Sequence, residues 1–183
     1  LLADLSGRLA GRKFYQRTAT EGKAQATTQG PRKSELLERR SDELTWGDIL
    51  SIIVIDEAIH QPQVIGALFS QAQADQEDKS TEYGGLLAWK QSGADKEYSV
   101  VMIYMPRSAQ RISDMRFIAS DDMITASDLS LAHYHFHVQK DKNAEYAGPS
   151  KGDLEYAHRF GRSCLVLTSV SRGVMSVDYY QSG

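Results

Sequence analysis

The sequence predicts a mixed β-sheet flanked by helices, a protein of the α/β (α+β) class. Apolar runs of strand length recur along the chain, amphipathic helical spacing separates them, and two closing runs are joined by a Gly-containing turn. An order of strand, helix, several strands, helix and strands is typical of helices packed on one mixed sheet. Strands are predicted at 49–55, 83–89, 98–105, 115–119, 131–138, 164–170 and 174–180.

Two longer helices are predicted between these strands, and a short helix is expected to close at Ser127 to Leu131. Pro62 stands near the start of the first, which ends before a polar stretch, 73–81, that predicts a loop. Its apolar residues follow the i, i+3, i+4, i+7 spacing of an amphipathic helix: Ile65, Leu68, Phe69 and Ala72. The second helix opens at Ser150, after a Gly-Pro break, and runs to about Phe160.

Length and composition limit the classes of protein that this chain can represent. With 183 residues, 41% of them apolar, it is long enough for one domain, predicted at 46–183, and an N-terminal extension at 1–45, mostly helical or irregular. The net charge of -3 argues against a nucleic-acid partner, and no apolar run is long enough for a membrane span. The single cysteine, Cys164, is predicted to be a core residue, and we expect a cytoplasmic protein without a secretory signal.

Three of the five histidines fall in one predicted strand, His133-Tyr134-His135-Phe136-His137. Alternate residues of a strand point to the same face, so the three imidazoles should lie on one side, with Tyr134 and Phe136 on the other. Two imidazoles spaced in this way can converge on one metal ion. A His-rich strand face without a metal is the alternative that this motif leaves open when taken alone.

Two further segments contribute carboxylates. Ser150-x-x-Asp153 follows the Gly-Pro break and is typical of a helix cap, yet a capping Asp153 keeps a second oxygen that can meet a metal. Glu82 stands two residues before Gly84-Gly85, and two glycines inside a strand suggest that something approaches its backbone closely. Taken alone, a solvated strand-end carboxylate is the simpler interpretation of Glu82.

In their order along the chain, Glu82 with Gly85-Leu86-Leu87, His135-Phe136-His137 and Pro149-Ser150-x-x-Asp153 resemble the JAMM, or MPN+, metalloprotease family. The resemblance covers about residues 49–180. It implies an MPN/JAB-like domain, similar to the cytidine-deaminase-like layout, with Zn²⁺ bound by His135, His137 and Asp153. It also implies Glu82 as general base and Ser150 as oxyanion donor, in the hydrolysis of an amide or isopeptide bond. The substrate would be a protein or peptide, often a ubiquitin-like conjugate.

The chain departs from the family pattern in two ways. Val138 stands where the family usually has Pro, and the spacer 138–149 is longer than usual, although loops lengthen at small cost. His133 is outside the pattern. We expect it to be a packed strand residue, rather than a group that orients a metal ligand or an alternative ligand. Two imidazoles and a carboxylate also suit Fe(II). The alternative function is a non-catalytic MPN-like binding or scaffold domain, whereas a zinc deaminase would need a cysteine pair.

Overall fold

The computed structural model describes residues 1–9, 41–92, 97–102, 116–160 and 163–181. Its strands are β1 (Gly84–Ser92), β2 (Glu97–Met102), β3 (Ser130–His137), β4 (Cys164–Ser171) and β5 (Val174–Tyr180). Its α-helices are α1 (Leu2–Leu9), α2 (Trp46–Ile59), α3 (Pro62–Glu77), α4 (Asp121–Ala126) and α5 (Lys151–Phe160). Short 3₁₀ turns are found at Ser41–Glu43, Ser127–Leu129 and Ala144–Tyr146.

The strands of these residues form one sheet in the order β2-β1-β3-β4-β5. β3 pairs in parallel with β4, and the other neighbours are antiparallel, so the predicted mixed sheet with flanking helices is confirmed. Parallel neighbours need a crossover connection, and α5 lies in the connection from β3 to β4. Gly173, with a φ of 72°, stands in the predicted turn between β4 and β5, a backbone conformation that favours glycine.

The two faces of β3 have different surroundings. Tyr134 and Phe136 are buried in the main core, together with residues of α2 and α3. On the opposite face, a smaller core is formed by residues of α5, β4 and β5: Ala157, Cys164, Val166 and Tyr180. His133, His135 and His137 alternate with the two core aromatics and so belong to the face toward α5. Cys164 is buried, as predicted.

The prediction of a strand at 49–55 is wrong, because this segment lies inside helix α2. Thr45 and Asp48 begin the helix with a reciprocal capping box, a signal present in the sequence. Ile49, Ile52, Ile53 and Ile55 are all buried. Leu50 and Val54 are also apolar, although they lie on the less buried side of α2, so the apolar run has no helical period and imitates a buried strand.

Two other local predictions need correction. α3 continues to Glu77, so only the last part of the predicted loop 73–81 is non-helical; Gln71, Ala72 and Asp75 are buried along it. Residues 116–119 are not in a strand, although one was predicted at 115–119, and Met115 lies outside the described residues. This segment instead places Phe117 beside β1, where Gly84 leaves room for its ring.

The first helix contributes to the main core. Leu5 is fully buried in the same cluster as Ile49 and Ile53 of α2, and most of the predicted extension, residues 10–40, lies outside the described residues. Within the described residues, no single helix has the length and apolarity needed to cross a bilayer; α2 and α3 reach them only together, across a bend of 78°.

Candidate metal centre

The pairing of β1 with β3 brings the start of β1 beside the carboxyl end of β3. Gly84 is paired with His135, and the backbone N–H of Phe136 donates to the carbonyl of Tyr83 at 3.2 Å. Glu82, two residues before Gly84, therefore lies next to the last histidines of the strand. α5 then starts close to the same strand end, as expected where a parallel strand leads into its crossover helix.

Four side chains predicted from the sequence converge at this strand end. Glu82, His135 and His137 offer ligand atoms that all lie within 4.8 Å of one another. Asp153 approaches both imidazoles, with Oδ1 3.3 Å from Nε2 of His135 and Oδ2 4.0 Å from Nε2 of His137. Nε2 of His137 is also 3.6 Å from Oε1 of Glu82. The cluster can hold a metal ion.

The long spacer 138–149 fixes the orientation of His137. Nδ1 of His137 lies 2.7 Å from the carbonyl oxygen of Tyr146, and because a carbonyl only accepts, Nδ1 carries the proton. In the neutral ring, Nε2 then keeps its lone pair, which faces Glu82 and Asp153. Nδ2 of Asn143 donates to the carbonyl of His137 at 3.0 Å, so the spacer also holds the backbone at this position.

His135 is buried more deeply than His137. The ring of Phe117 stacks on it, with centroids 6.0 Å apart and planes 13° apart, and the hydroxyl of Tyr180 is 3.5 Å from its Nδ1. Its buried Nε2 has Oδ1 of Asp153 as its neighbour, at 3.3 Å. This contact suits either an imidazolium that donates to the carboxylate or a metal ion held by both atoms.

The two glycines before Leu86 make this packing feasible. A Cβ on Gly84 would stand 2.5 Å from the carbonyl oxygen of Tyr134 and 2.6 Å from the ring of Phe117. A Cβ on Gly85 would stand 2.7 Å from the hydroxyl oxygen of Tyr134. The close approach expected from the glycine pair is therefore made by two aromatic rings, one of which covers His135.

Asp153 is both a helix cap and a member of the cluster. Its Oδ2 accepts a hydrogen bond of 2.6 Å from the backbone N–H of Ser150, and its own N–H donates to Oγ of Ser150 at 3.3 Å. This capping box uses one carboxylate oxygen and leaves Oδ1 facing His135, as the sequence motif predicted.

The two carboxylates of the cluster have opposite proton affinities. Burial raises the pKa of Glu82 to about 8, and the nearby carboxylates of Asp153 and Asp75 act in the same direction. Burial also favours a protonated Asp153, but the His135 imidazole outweighs it and holds the pKa of Asp153 well below its usual value. Without a metal ion, Asp153 is thus ionised at neutral pH, whereas Glu82 keeps its proton.

The surroundings of the two imidazoles also shift their pKa values in opposite directions. Burial lowers the pKa of His137 to about 4, and the neighbouring His135 acts in the same direction. Burial would likewise lower the pKa of His135, but the Asp153 carboxylate raises it to about 9. Without a metal ion, the proton of the pair therefore resides on His135, and His137 is neutral.

The cluster forms the inner end of a cavity of about 640 Å³. Its walls include residues of the segment at Phe117, the spacer residues Gln139 and Tyr146, and one side of α5. His133 also lines the cavity, with Nδ1 2.5 Å from the hydroxyl of Tyr156, so it is a packed and hydrogen-bonded strand residue. A space of this size beside the cluster can admit part of a substrate.

No family model, curated protein or solved structure matches this chain. The motifs predicted the four polar residues that meet in space, but they missed the groups that orient them. The carbonyl of Tyr146 and the ring of Phe117 act through backbone position and stacking, which no motif records. Tyr156 could have been found, because it follows Asp153 at the i+3 spacing of one helix face.

Proposed function

We propose that this protein is a zinc-dependent hydrolase of amide or isopeptide bonds. The observation that carries the proposal is that His135, His137 and Asp153 meet at the end of a cavity. Glu82 lies beside them, and its pKa is raised, whereas that of Asp153 is lowered. Two titratable groups whose surroundings separate their pKa values are typical of a site with divided acid–base roles.

The residues present suit zinc. Nitrogen and oxygen ligands from two histidines and one carboxylate make a common catalytic set, in which a fourth position stays open for water. His135, His137 and Asp153 would be the ligands, because Asp153 is ionised and its Oδ1 faces the imidazole of His135. When bound, zinc would act as a Lewis acid that polarises the carbonyl. It would also lower the pKa of a water molecule, so that hydroxide is available at neutral pH.

Glu82 has the position and proton affinity of a general base. It is buried beside His137, and the charge of bound zinc would favour its ionised form, so that the carboxylate can take a proton from a water molecule and return it at neutral pH. In amide hydrolysis, Glu82 would receive that proton as the water oxygen attacks the carbonyl carbon, then deliver it to the departing nitrogen as the C–N bond breaks.

Ser150 has a hydroxyl group at the rim of the cluster. Its Oγ accepts the N–H of Asp153, and its own hydroxyl proton is not used in that bond. The hydroxyl can therefore donate to the oxyanion that develops on the substrate carbonyl. A donor held by a helix cap needs no reorganisation during the reaction, which is the condition under which such stabilisation is strong.

The resemblance to the JAMM family supports this division of roles. The residues that carry it, Glu82, His135, His137, Ser150 and Asp153, are near one another in space, although they are up to 71 positions apart in the sequence. The resemblance suggests protein conjugates as substrates, including those of ubiquitin-like proteins.

Replacing Glu82 by glutamine tests the proposal. Zinc-loaded wild-type protein is incubated with a ubiquitin dimer joined by an isopeptide bond and with fluorescein-labelled casein, and bound zinc is measured in parallel. We expect Glu82→Gln to lower turnover by about 10²–10⁴-fold while zinc content is retained. Glu77→Gln, an exposed position at the end of α3, is the matched control.

Three outcomes decide the matter. Retained zinc with lost turnover supports Glu82 as the base. Loss of zinc in Glu82→Gln would make Glu82 a ligand and contradict the assigned roles. A zinc-loaded wild-type protein that cleaves neither substrate contradicts the enzyme proposal and favours the scaffold alternative.

A further inference from the structure

We infer that the outer half of the cavity binds a carboxylate of the substrate, about three residues away from the bond that is cleaved. The inference rests on the proposed function, which places that bond at the inner end of the cavity. It adds a specificity to the site: a peptide segment that carries an acidic side chain or a free carboxyl terminus.

One face of α5 leads from the cluster toward the cavity mouth. Asp153, Tyr156 and Phe160 lie at i, i+3 and i+7, and all three line the cavity. The rings of Tyr156 and Phe160 pack together with centroids 4.7 Å apart, and the hydroxyl of Tyr156 is held by His133. This aromatic wall offers an apolar surface on which a peptide backbone can rest.

Two arginines at exposed positions line the cavity. Arg116, from the segment beside Phe117, and Arg159, from α5, both line it. The guanidinium of Arg159 lies 5.4 Å from the ring centroid of Phe160, so the aromatic wall helps to position it. Glu155 also lines the cavity, but its carboxylate has its own cation in Lys151, at 3.9 Å.

The two arginines are the cationic groups of the cavity lining that could bind an anion. Within the described ranges, neither guanidinium is paired with a carboxylate. Arginine presents a planar set of donors that matches a carboxylate in two parallel hydrogen bonds. Among the described residues that line the cavity, Arg116 and Arg159 are the arginines, whereas the inner end contributes the carboxylates of Glu82 and Asp153.

Helix geometry sets the axial separation of Asp153 and Arg159. Asp153 and Arg159 are six residues apart in α5, which corresponds to about 9 Å along the helix axis. An extended peptide covers about 3.3 Å per residue, so a chain that starts at the cluster reaches Arg159 after about three residues. This length sets the position of the carboxylate in the substrate.

Binding of short peptides tests the inference independently of turnover. The zinc-loaded full chain is titrated by calorimetry with acetyl-Ala-Ala-Ala-Ala bearing a free carboxylate, with the same peptide as its amide, and with acetyl-Ala-Ala-Ala-Glu amide. We expect about tenfold tighter binding of the carboxylate peptides than of the neutral amide, because each good charged hydrogen bond contributes at about this level. Comparing the two acidic peptides separates a terminal carboxylate from a side-chain carboxylate.

Variants then identify the groups responsible. In Arg159→Gln, and in Arg116→Gln, the tenfold preference for the carboxylate over the amide should fall to about one or two-fold. Arg172→Gln, in the turn between β4 and β5 and away from this cavity, should keep the preference.

The outcomes separate this inference from the proposed function. Equal binding of acidic and neutral peptides, or a preference that survives in both arginine variants, overturns the inference even if the protein hydrolyses amides. A preference that depends on the two arginines in a protein without any hydrolytic activity sustains the anion subsite and contradicts the proposed function alone.

Discussion

The starts of helices α2 and α5 are built in the same way but have different surroundings. At α2, the N–H of Thr45 donates to Oδ2 of Asp48, and the N–H of Asp48 donates back to Oγ1 of Thr45. At α5, Ser150 and Asp153 make the same pair of hydrogen bonds. In both caps, Oδ1 of the aspartate points away from the helix start and meets a side chain from another part of the chain.

The group that Oδ1 meets is what separates the two caps. Oδ1 of Asp48 accepts a hydrogen bond of 2.7 Å from Nε2 of Gln181, near the surface. Oδ1 of Asp153 faces Nε2 of His135, beside His137 and at the inner end of a cavity. A capping box therefore fixes a carboxylate in space, and the element packed opposite decides whether its second oxygen meets a surface amide or a cluster of titratable groups.

Replacing the two aspartates should give the largest difference between the two caps. We expect Asp153→Asn to reduce zinc affinity by more than about 100-fold and turnover to background, since even groups that only support a ligand are worth 10–100-fold. Asp48→Asn should keep zinc and turnover and lower the free energy of unfolding by less than about 1 kcal/mol. Zinc affinity is measured by chelator competition and stability by urea unfolding.

The opposite pattern would refute the assignment of the caps. If Asp153→Asn keeps full zinc affinity, the third ligand is another group, with Glu82 the nearest candidate at 3.6 Å from His137.

Replacing the two capping hydroxyls should give a smaller but equally selective effect. Ser150→Ala and Thr45→Ala each remove a helix cap, so both should lower the free energy of unfolding by about 1 kcal/mol. In Ser150→Ala alone, kcat should also fall by about 10²–10³-fold, because the oxyanion donor is lost. Equal kcat values in the two variants, at full zinc loading, would show that Ser150 is a structural cap only.

The two caps should also differ in their response to pH, because Asp153 faces an imidazole and Asp48 an amide. Burial would lower the pKa of His135, but the Asp153 carboxylate raises it to about 9. Below that pH, the ring must therefore lose a proton to bind zinc. We therefore expect zinc affinity to rise by at least tenfold per pH unit up to about pH 8, with release of about one proton from His135 and a second from Glu82 as it ionises beside the metal.

Calorimetry in buffers of different ionisation enthalpy measures this proton release. In Asp153→Asn the proton that His135 releases near neutral pH should disappear, since the group that raises the pKa of His135 is gone, whereas in Asp48→Asn it should persist. A zinc affinity that is constant between about pH 6 and about pH 8 would contradict the expected coupling.

The sequence predicted the central part of the fold because its signals there are local. The alternation in β3 placed Tyr134 and Phe136 on one face and the histidines on the other, and the structure has this arrangement. The strand predicted at 49–55 failed because apolar Leu50 and Val54 lie on the less buried side of α2, which therefore lacks the polar stripe that marks most helices.

The candidate site shows the same limit. Four side chains that meet there could be predicted, because each stands in a recognisable local motif. The groups that orient them could not, because the carbonyl of Tyr146 and the ring of Phe117 come from segments whose path depends on tertiary packing. The distance from Asp153 to Arg159, by contrast, follows from helix geometry once the start of α5 is known.

The proposed chemistry depends on one cation held between the two imidazoles and the capping carboxylate. A crystal structure of the zinc-loaded protein, with anomalous data on both sides of the zinc absorption edge, tests it most directly. We expect one anomalous peak about 2.0–2.2 Å from Nε2 of His135, Nε2 of His137 and Oδ1 of Asp153. A peak bound to Glu82 in place of Asp153, or no peak at this cluster in protein that carries one equivalent of zinc, would contradict the claim.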